Sequence, residues 1–450
     1  MCMWLAVLLL LSIVFIIVST ARFGLHPFLA LLLAAFGYGI LSDKMPLEEV
    51  AKAVNFGFGD TVGRIGIVIL AGSVIGTFLE KSGGARQLAE RILTWVGYKN
   101  VPLAMGIIGY IVSIPVFCDS GYVILAPLAK ALSRKAKVSL AASAIALSLG
   151  LYATHTMVPP TPGPAGAASI LGADLGLVIL WGLVVALFAL VAGWLFAILV
   201  AARTLIDLGS EPDTPEPAAP GTEGPSALKS LVPILLPIVL IVLKSVADLK
   251  DYHPFGTGGM AQFLSFIGSP VVALLLGVFF AFLLPRKLTR EMLSTTGWVG
   301  EGIVAASIII VVTACGGAFG EVLKKSGIAD VVTQYLGTST SLSLFLPFVI
   351  AAALKTAQGS STVAMITTAG IMLPLLEPLG LSGPTARALT VVTIGAGSMV
   401  VSHANDSYFW VVTGFSKMTV KQGYKLQTVG SLVQGCASIV ALWGISRIVL

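Results

Sequence analysis

Apolar residues run along this chain in blocks of about twenty, the length that crosses a hydrocarbon core as a helix. Short polar joints separate them. Such blocks lie at 3–20, 25–41, 61–79, 176–202, 228–247, 263–284, 301–323 and 428–450. Two more, 138–171 and 385–414, are too long for one smooth helix and carry polar or proline-rich interruptions. The pattern therefore predicts ten crossings. Two further apolar stretches, 101–132 and 339–376, have polar residues at their centres. Each could be two crossing helices or one re-entrant hairpin that returns to the side it entered from, and the hairpin is the reading adopted.

Composition supports the same class. Of 450 residues 56% are hydrophobic and only 11% charged, against about 25% charged in a soluble domain. That balance excludes a cytosolic enzyme, a nucleic-acid binder and a disordered chain, and it predicts an all-α polytopic membrane protein with lipid as its surroundings. The +6 net charge is then a question of sidedness. With the hairpins folded back, 17 Lys and Arg fall on one side of the membrane and 9 on the other. The richer side should be cytoplasmic, which puts both termini outside. Hairpin 101–132 would enter from the cytoplasm and hairpin 339–376 from outside. No basic residue precedes the first apolar block, so it does not read as a signal peptide. Four scattered cysteines suggest neither a disulfide framework nor a zinc site. No cofactor, metal or nucleotide-binding loop is expected.

Residues 207–226 hold five prolines and no Lys or Arg, the composition of a flexible linker. The chain divides there into 1–206 and 228–450, with 207–227 as a cytoplasmic connector. The halves resemble each other: GSVIGTFLEKSG at 72–83 and GGAFGEVLKKSG at 316–327 share six of 12 positions. A polar-tipped hairpin follows each, and then an interrupted helix with a histidine, His155 or His403. Five crossings per half is an odd number, so the halves would insert in opposite orientations. Two inverted repeats with broken helices at the midplane is the plan of secondary transporters.

Polar residues within the apolar blocks form four clusters, and such residues default to functional hypotheses. The first is SIPVFCDSG at 113–121, where Asp119 and Ser120 sit at a predicted helix break. A lone carboxylate in low dielectric binds protons more readily, which suits a proton carrier; Asp119 also reads as an N-cap. The second is HTMVPPTPGP at 155–164, with His155, Thr161 and Gly163. Four prolines in six residues forbid helix, and the half-helix after them would point its N-terminus into the site as an anion cradle. The third is KTAQGSST at 355–362: Gln358, Gly359, Ser360, Ser361 and Thr362 offer donors to a hydroxylated ligand. Lys355 there either faces a carboxylate or snorkels to the surface. The fourth is SHANDSY at 402–408, where Asn405 and Asp406 interrupt the last long block beside His403. GFGD at 57–60 matches an intramembrane aspartyl-protease pattern whose second motif is absent.

These clusters resemble the gluconate:proton symporter family, the gluconate permeases, within the ion-transporter superfamily. The likeness rests on PVFCDSGY at 115–122 with LAPL at 125–128, on His155 with PPTPGP at 159–164, on GSSTVA at 359–364 and on SHAND at 402–406. Weaker similarity extends to MPL at 45–47 and SGGA at 82–85. The resemblance implies proton-coupled uptake of sugar acids across a bacterial inner membrane, and a homodimer. It also implies an elevator movement, with the hairpins and broken helices as a mobile transport domain against a scaffold. Some relatives have Glu at the place of Asp119 and Arg at that of Lys355, and some carry threonate-like, glycerate-like or amino-acid substrates. The favoured reading is a proton symporter for a small polyhydroxylated carboxylate. Substrate would contact the residues named in the four clusters, and Asp119, His155 and Asp406 are the candidates for proton coupling. A sodium-coupled carrier, a membrane-embedded hydrolase and a channel are the alternatives.

Overall fold

The computed structural model describes residues 2–97, 100–206, 224–247, 258–328, 343–403 and 406–450. Most of linker 207–227 lies outside these. Among the described residues there is helix and turn and no strand. Each of the ten apolar blocks contains helix, and blocks 138–171 and 385–414 are each divided between two helices. The first half contains α1 (Cys2–Ala21), α2 (Pro27–Leu41), α3 (Leu47–Lys81), α4 (Gly84–Val96), α5 (Val101–Val112), α6 (Cys118–Ala136), α7 (Leu140–Met157), α8 (Pro162–Leu171) and α9 (Leu175–Leu199). The second contains α10 (Ala227–Ala247), α11 (Gly259–Ile267), α12 (Pro270–Ala281), α13 (Trp298–Lys325), α14 (Phe345–Gln358), α15 (Ser361–Met372), α16 (Pro384–Ser398), α17 (Ser407–Phe415) and α18 (Val429–Val449). Five helical stretches are long and apolar enough to cross a membrane, or seven with two bent pairs.

Several elements differ from the expected boundaries. Helix α3 starts fourteen residues before the apolar block at 61, because Glu48 and Glu49 suit a helix N-terminus and Lys52 pairs with Glu48 at 2.7 Å. The apolar pattern marks the lipid-embedded part of a helix, not its whole length. Block 263–284 bends by 63° between α11 and α12, where Gly268 and Ser269 precede Pro270. Helix α4 has no counterpart among the expected elements. It is too polar to span, yet it buries Ala85, Leu88, Ala89 and Ile92 along one face. The GFGD run lies inside α3, where Asp60 pairs with Arg64 at 3.0 Å, an ordinary surface pair one turn apart.

Four breaks organise the centre. α5 and α6 are separated by 113–117, and α7 and α8 by 158–161. α14 and α15 are separated by 359–360, and α16 and α17 by 399–406. Proline sets the first two: Pro115 in one, Pro159 and Pro160 in the other. Gly359 sets the third by closing α14 at a φ of 83°, where a side chain would be strained. Each half thus runs as a long helix (α3, α13), a helix–break–helix hairpin, a broken helix and a final long helix (α9, α18).

Helix α7 is buried over all its residues, and α15 and α16 nearly so. Around α7 pack α5, α6 and α9, while α8 lies against α15 and α16 against α14. α3 crosses α13, where the Ser73 hydroxyl donates to the Gly302 carbonyl at 2.8 Å. The exposed apolar side chains lie on the periphery, among them Leu10 and Val14 on α1, Leu187 and Val191 on α9, and Val304 and Ile308 on α13. Lipid solvates such a surface as water cannot.

Candidate functional site

Three helices end at one place. The first turns of α6, α15 and α17 meet the last turn of α14 and one face of α7 around a cavity of about 250 Å³. α6 brings Cys118 and Asp119; α15 brings Ser360, Ser361 and Thr362; α17 brings Asp406, Ser407 and Tyr408. Gln358 and Gly359 come from the α14 end, and Tyr152 and His155 from α7. Every helix arriving here, other than α14 and α7, arrives by its N-terminus. Each N-terminus carries roughly +0.5 of an elementary charge and amide groups without helical partners.

Polar side chains hold the wall in place. Ser360 caps α15 by accepting from the Val363 amide at 3.3 Å, and Asp406 caps α17 by accepting from the Tyr408 amide at 3.1 Å. The Tyr152 hydroxyl is 2.7 Å from Ser361 Oγ, and the Tyr408 hydroxyl donates to the Ser148 carbonyl at 2.9 Å. The two tyrosine rings lie 5.1 Å apart. At the wall, His155 Nδ1 and Gln358 Nε2 have no hydrogen-bond partner among the described residues.

Charge is unevenly distributed. Lys355 is fully buried, and its ammonium donates to Asp406 Oδ2 at 2.6 Å and to the Gly359 carbonyl. Asp406 also accepts from Ser402 Oγ at 2.5 Å. Among the described residues Asp119 has no cation partner: its neighbours are Ser407 Oγ at 3.4 Å and the Cys118 thiol at 3.6 Å. Among the described residues, it is the one carboxylate on the cavity wall without an ion-pair partner.

Of the residues expected from sequence, Asp119, His155, Gln358, Gly359, Ser360, Ser361, Thr362 and Asp406 come together on this wall. Others do not. Ser120 turns to a second cavity with Thr77 and Glu80. Thr161 lines a small separate void, its hydroxyl donating to the Val158 carbonyl at 2.6 Å. Gly163 packs on Thr362 and Met365. The N-terminus of α8, expected as the anion cradle, thus lies off the wall, and α6, α15 and α17 occupy that place. Lys355 neither snorkels nor lines the cavity. His403 Nε2 is 2.8 Å from the Thr356 carbonyl, away from the wall, and Asn405 lies outside the described residues. Sequence reasoning missed Cys118, Tyr152, Ser407 and Tyr408. Tyr152 stands three residues before His155, so it shares a helix face with a residue already singled out; that spacing was the available signal. No group of His, Cys, Asp or Glu among the described residues is placed to hold a metal.

Comparison with known proteins bears on this architecture. The family described as GntP family permease matches residues 4–449. The chain is 33% identical to a gluconate permease of Pseudomonas aeruginosa, over 96% of this chain and 95% of the relative. It is also 33% identical to the D-serine transporter DsdX of Escherichia coli K12, over 98% and 97%. In structure it is similar to the YdaH transporter of Alcanivorax borkumensis, with a TM-score of 0.67 over 94% of this chain and 98% of the other. At 15% identity that likeness concerns the fold alone. The protein is a permease and not an enzyme, built as a multi-pass protein of the bacterial inner membrane. The full-length match, the level of identity and a polar cavity at the meeting of broken helices agree: this chain belongs to the GntP permease family.

Proposed function

We propose that this permease takes up a small hydroxylated carboxylate, gluconate or a related sugar acid, together with a proton. The observation that carries the reading is Asp119, an acid without a cation on a wall otherwise suited to an anion. The substrate carboxylate faces the N-termini of α6, α15 and α17, which favour negative charge. Its hydroxyls meet Ser360, Ser361, Thr362, Gln358 and His155. A deprotonated Asp119 repels that carboxylate; a protonated one does not, and its O–H can donate to it. Substrate and proton therefore favour each other's binding, the linkage a symporter requires.

The gluconate permease relative supports the substrate class, and the family supports transport. In this reading the halves are inverted repeats, and the hairpins α5–α6 and α14–α15 move with the broken helices α7–α8 and α16–α17 as one body. That body shifts against a scaffold containing α3 and α13, within a homodimer. The burial of α7, α15 and α16, with α16 packed on both of the others, favours a rigid moving unit. A second reading has one observation in its favour: Asp119 would pair with the ammonium of an amino acid, and one relative is a D-serine transporter. A thermal-shift screen of C3–C6 sugar acids against serine enantiomers separates the two, because a ligand that binds only the folded state raises its Tm.

The coupling test uses Asp119→Asn in proteoliposomes. Asparagine mimics the neutral acid, so the variant is expected to exchange substrate across the membrane. It should lose accumulation driven by an imposed pH gradient. Accumulation on the gradient by the variant would move the proton to another group.

A further inference from the structure

Among the described residues Lys355 is the one wholly buried lysine, and its ammonium makes two bonds: to Asp406 Oδ2 at 2.6 Å and to the Gly359 carbonyl. Each partner stands at a helix end. Gly359 ends α14 at the hairpin tip, one residue before the Ser360 cap of α15. Asp406 is the N-cap of α17. One ammonium therefore joins the start of α15 to the start of α17, two of the three helix ends that face the cavity. Ser402 Oγ also donates to Asp406 Oδ2 and the Tyr408 amide to Asp406 Oδ1, and the Tyr152 ring lies 5.8 Å from the ammonium.

We propose that Lys355 and Asp406 act as one neutral unit that positions the anion-facing helix ends, and that Lys355 itself does not touch the substrate. The assignment deepens the anionic-substrate reading and rests on it. Lys355 lies behind the wall, with its charge matched by a carboxylate that does reach the wall. Its role is to let Asp406 cap α17 without presenting net negative charge to an incoming anion. Removing the lysine alone leaves a buried carboxylate unpaired beside the substrate. Removing both charges leaves none, and asparagine caps a helix as well as aspartate does.

Positioning predicts that a second substitution at Asp406 compensates for loss of the lysine; direct contact predicts that it does not. The assay is gluconate counterflow in proteoliposomes, reading KM and maximal rate for wild type, Lys355→Met and the double variant Lys355→Met/Asp406→Asn. Truncating one partner of a buried pair exposes the other, so Lys355→Met should raise KM on the order of 30-fold or more. The double variant should recover to within about tenfold of wild type, since no uncompensated charge remains. If the ammonium instead clamps the substrate carboxylate, the double variant will stay as weak as Lys355→Met. That result overturns the proposal, as does an unchanged KM in Lys355→Met. Should Lys355→Met fail to fold, the double variant decides alone; its own failure to fold or to bind counts against the proposal. Absence of counterflow in wild type with every C3–C6 acid rejects the sugar-acid reading instead, so the two failures are distinguishable.

Discussion

The backbone approach between α5 and α7 allows a quantitative test of how the site is held. A Cβ added at Gly109 would meet the Leu147 carbonyl oxygen and the Leu151 amide nitrogen, each at 2.6 Å, with the Gly150 carbonyl carbon at 3.0 Å. Ordinary contact begins at 3.4 Å, so the methyl of Gly109→Ala lacks just under an ångström of room. The obstructing atoms are main chain and cannot rotate aside. The helices must separate locally, at a cost of about 1–3 kcal/mol for an overpacked interior. The helix preference for alanine over glycine offsets at most about 1 kcal/mol of this. Net destabilisation of up to ~2 kcal/mol remains after the full offset, and relative to a glycine-to-alanine change without crowding the whole ~1–3 kcal/mol is expected. Displacing α7 also moves Tyr152 and His155, so KM should rise together with the fall in Tm. The control is Gly59→Ala in α3, where a Cβ meets nothing within 4 Å. There only the helix preference acts, and Tm should stay level or rise. Thermal unfolding of the purified proteins in one detergent gives the comparison. If Gly109→Ala melts no lower than Gly59→Ala, close backbone contact does not set this packing.

Two further outcomes are expected. Ser361→Ala deletes a hydroxyl that faces the cavity and lies 2.7 Å from the Tyr152 hydroxyl; apparent substrate affinity should fall by about 1 kcal/mol, more if a ligand group is left unpaired, and unchanged affinity in equilibrium binding removes this position from the site. Reporter fusions should report the C-terminus outside and linker 207–227 in the cytoplasm, from the 17-to-9 excess of basic residues; a cytoplasmic C-terminus contradicts the inverted-repeat reading.

The breaks were legible because polar, proline and glycine residues inside apolar blocks have few structural explanations. All four clusters mark a place where helix stops, at 113–117, 158–161, 359–360 and 399–406. What the breaks enclose was less legible. Tyr152 and Tyr408 fit an apolar helix interior as well as a cavity wall, so composition alone gives them no special standing. The pairing of Lys355 with Asp406 crosses 51 residues of sequence, and no periodicity links positions that distant. The proline-rich run after His155 drew attention to α8 because its signal is strong, yet Thr161 bonds locally to Val158 and faces another void. A strong sequence signal for a break tells where the chain changes direction, not which cavity the freed end addresses.

The way helices meet at the cavity has an evolutionary consequence. Main-chain amides at the starts of α6, α15 and α17 are present whatever side chains those turns carry. On the proposed reading, the group common to every substrate, the carboxylate, is addressed by atoms that no substitution other than proline removes. The variable remainder of the substrate faces replaceable side chains such as Gln358, Ser360 and His155. Point changes at those positions can redirect the carrier to a new cargo while its grip on the shared head group persists. A scaffold so divided can diversify in small steps, each intermediate still able to carry some acid.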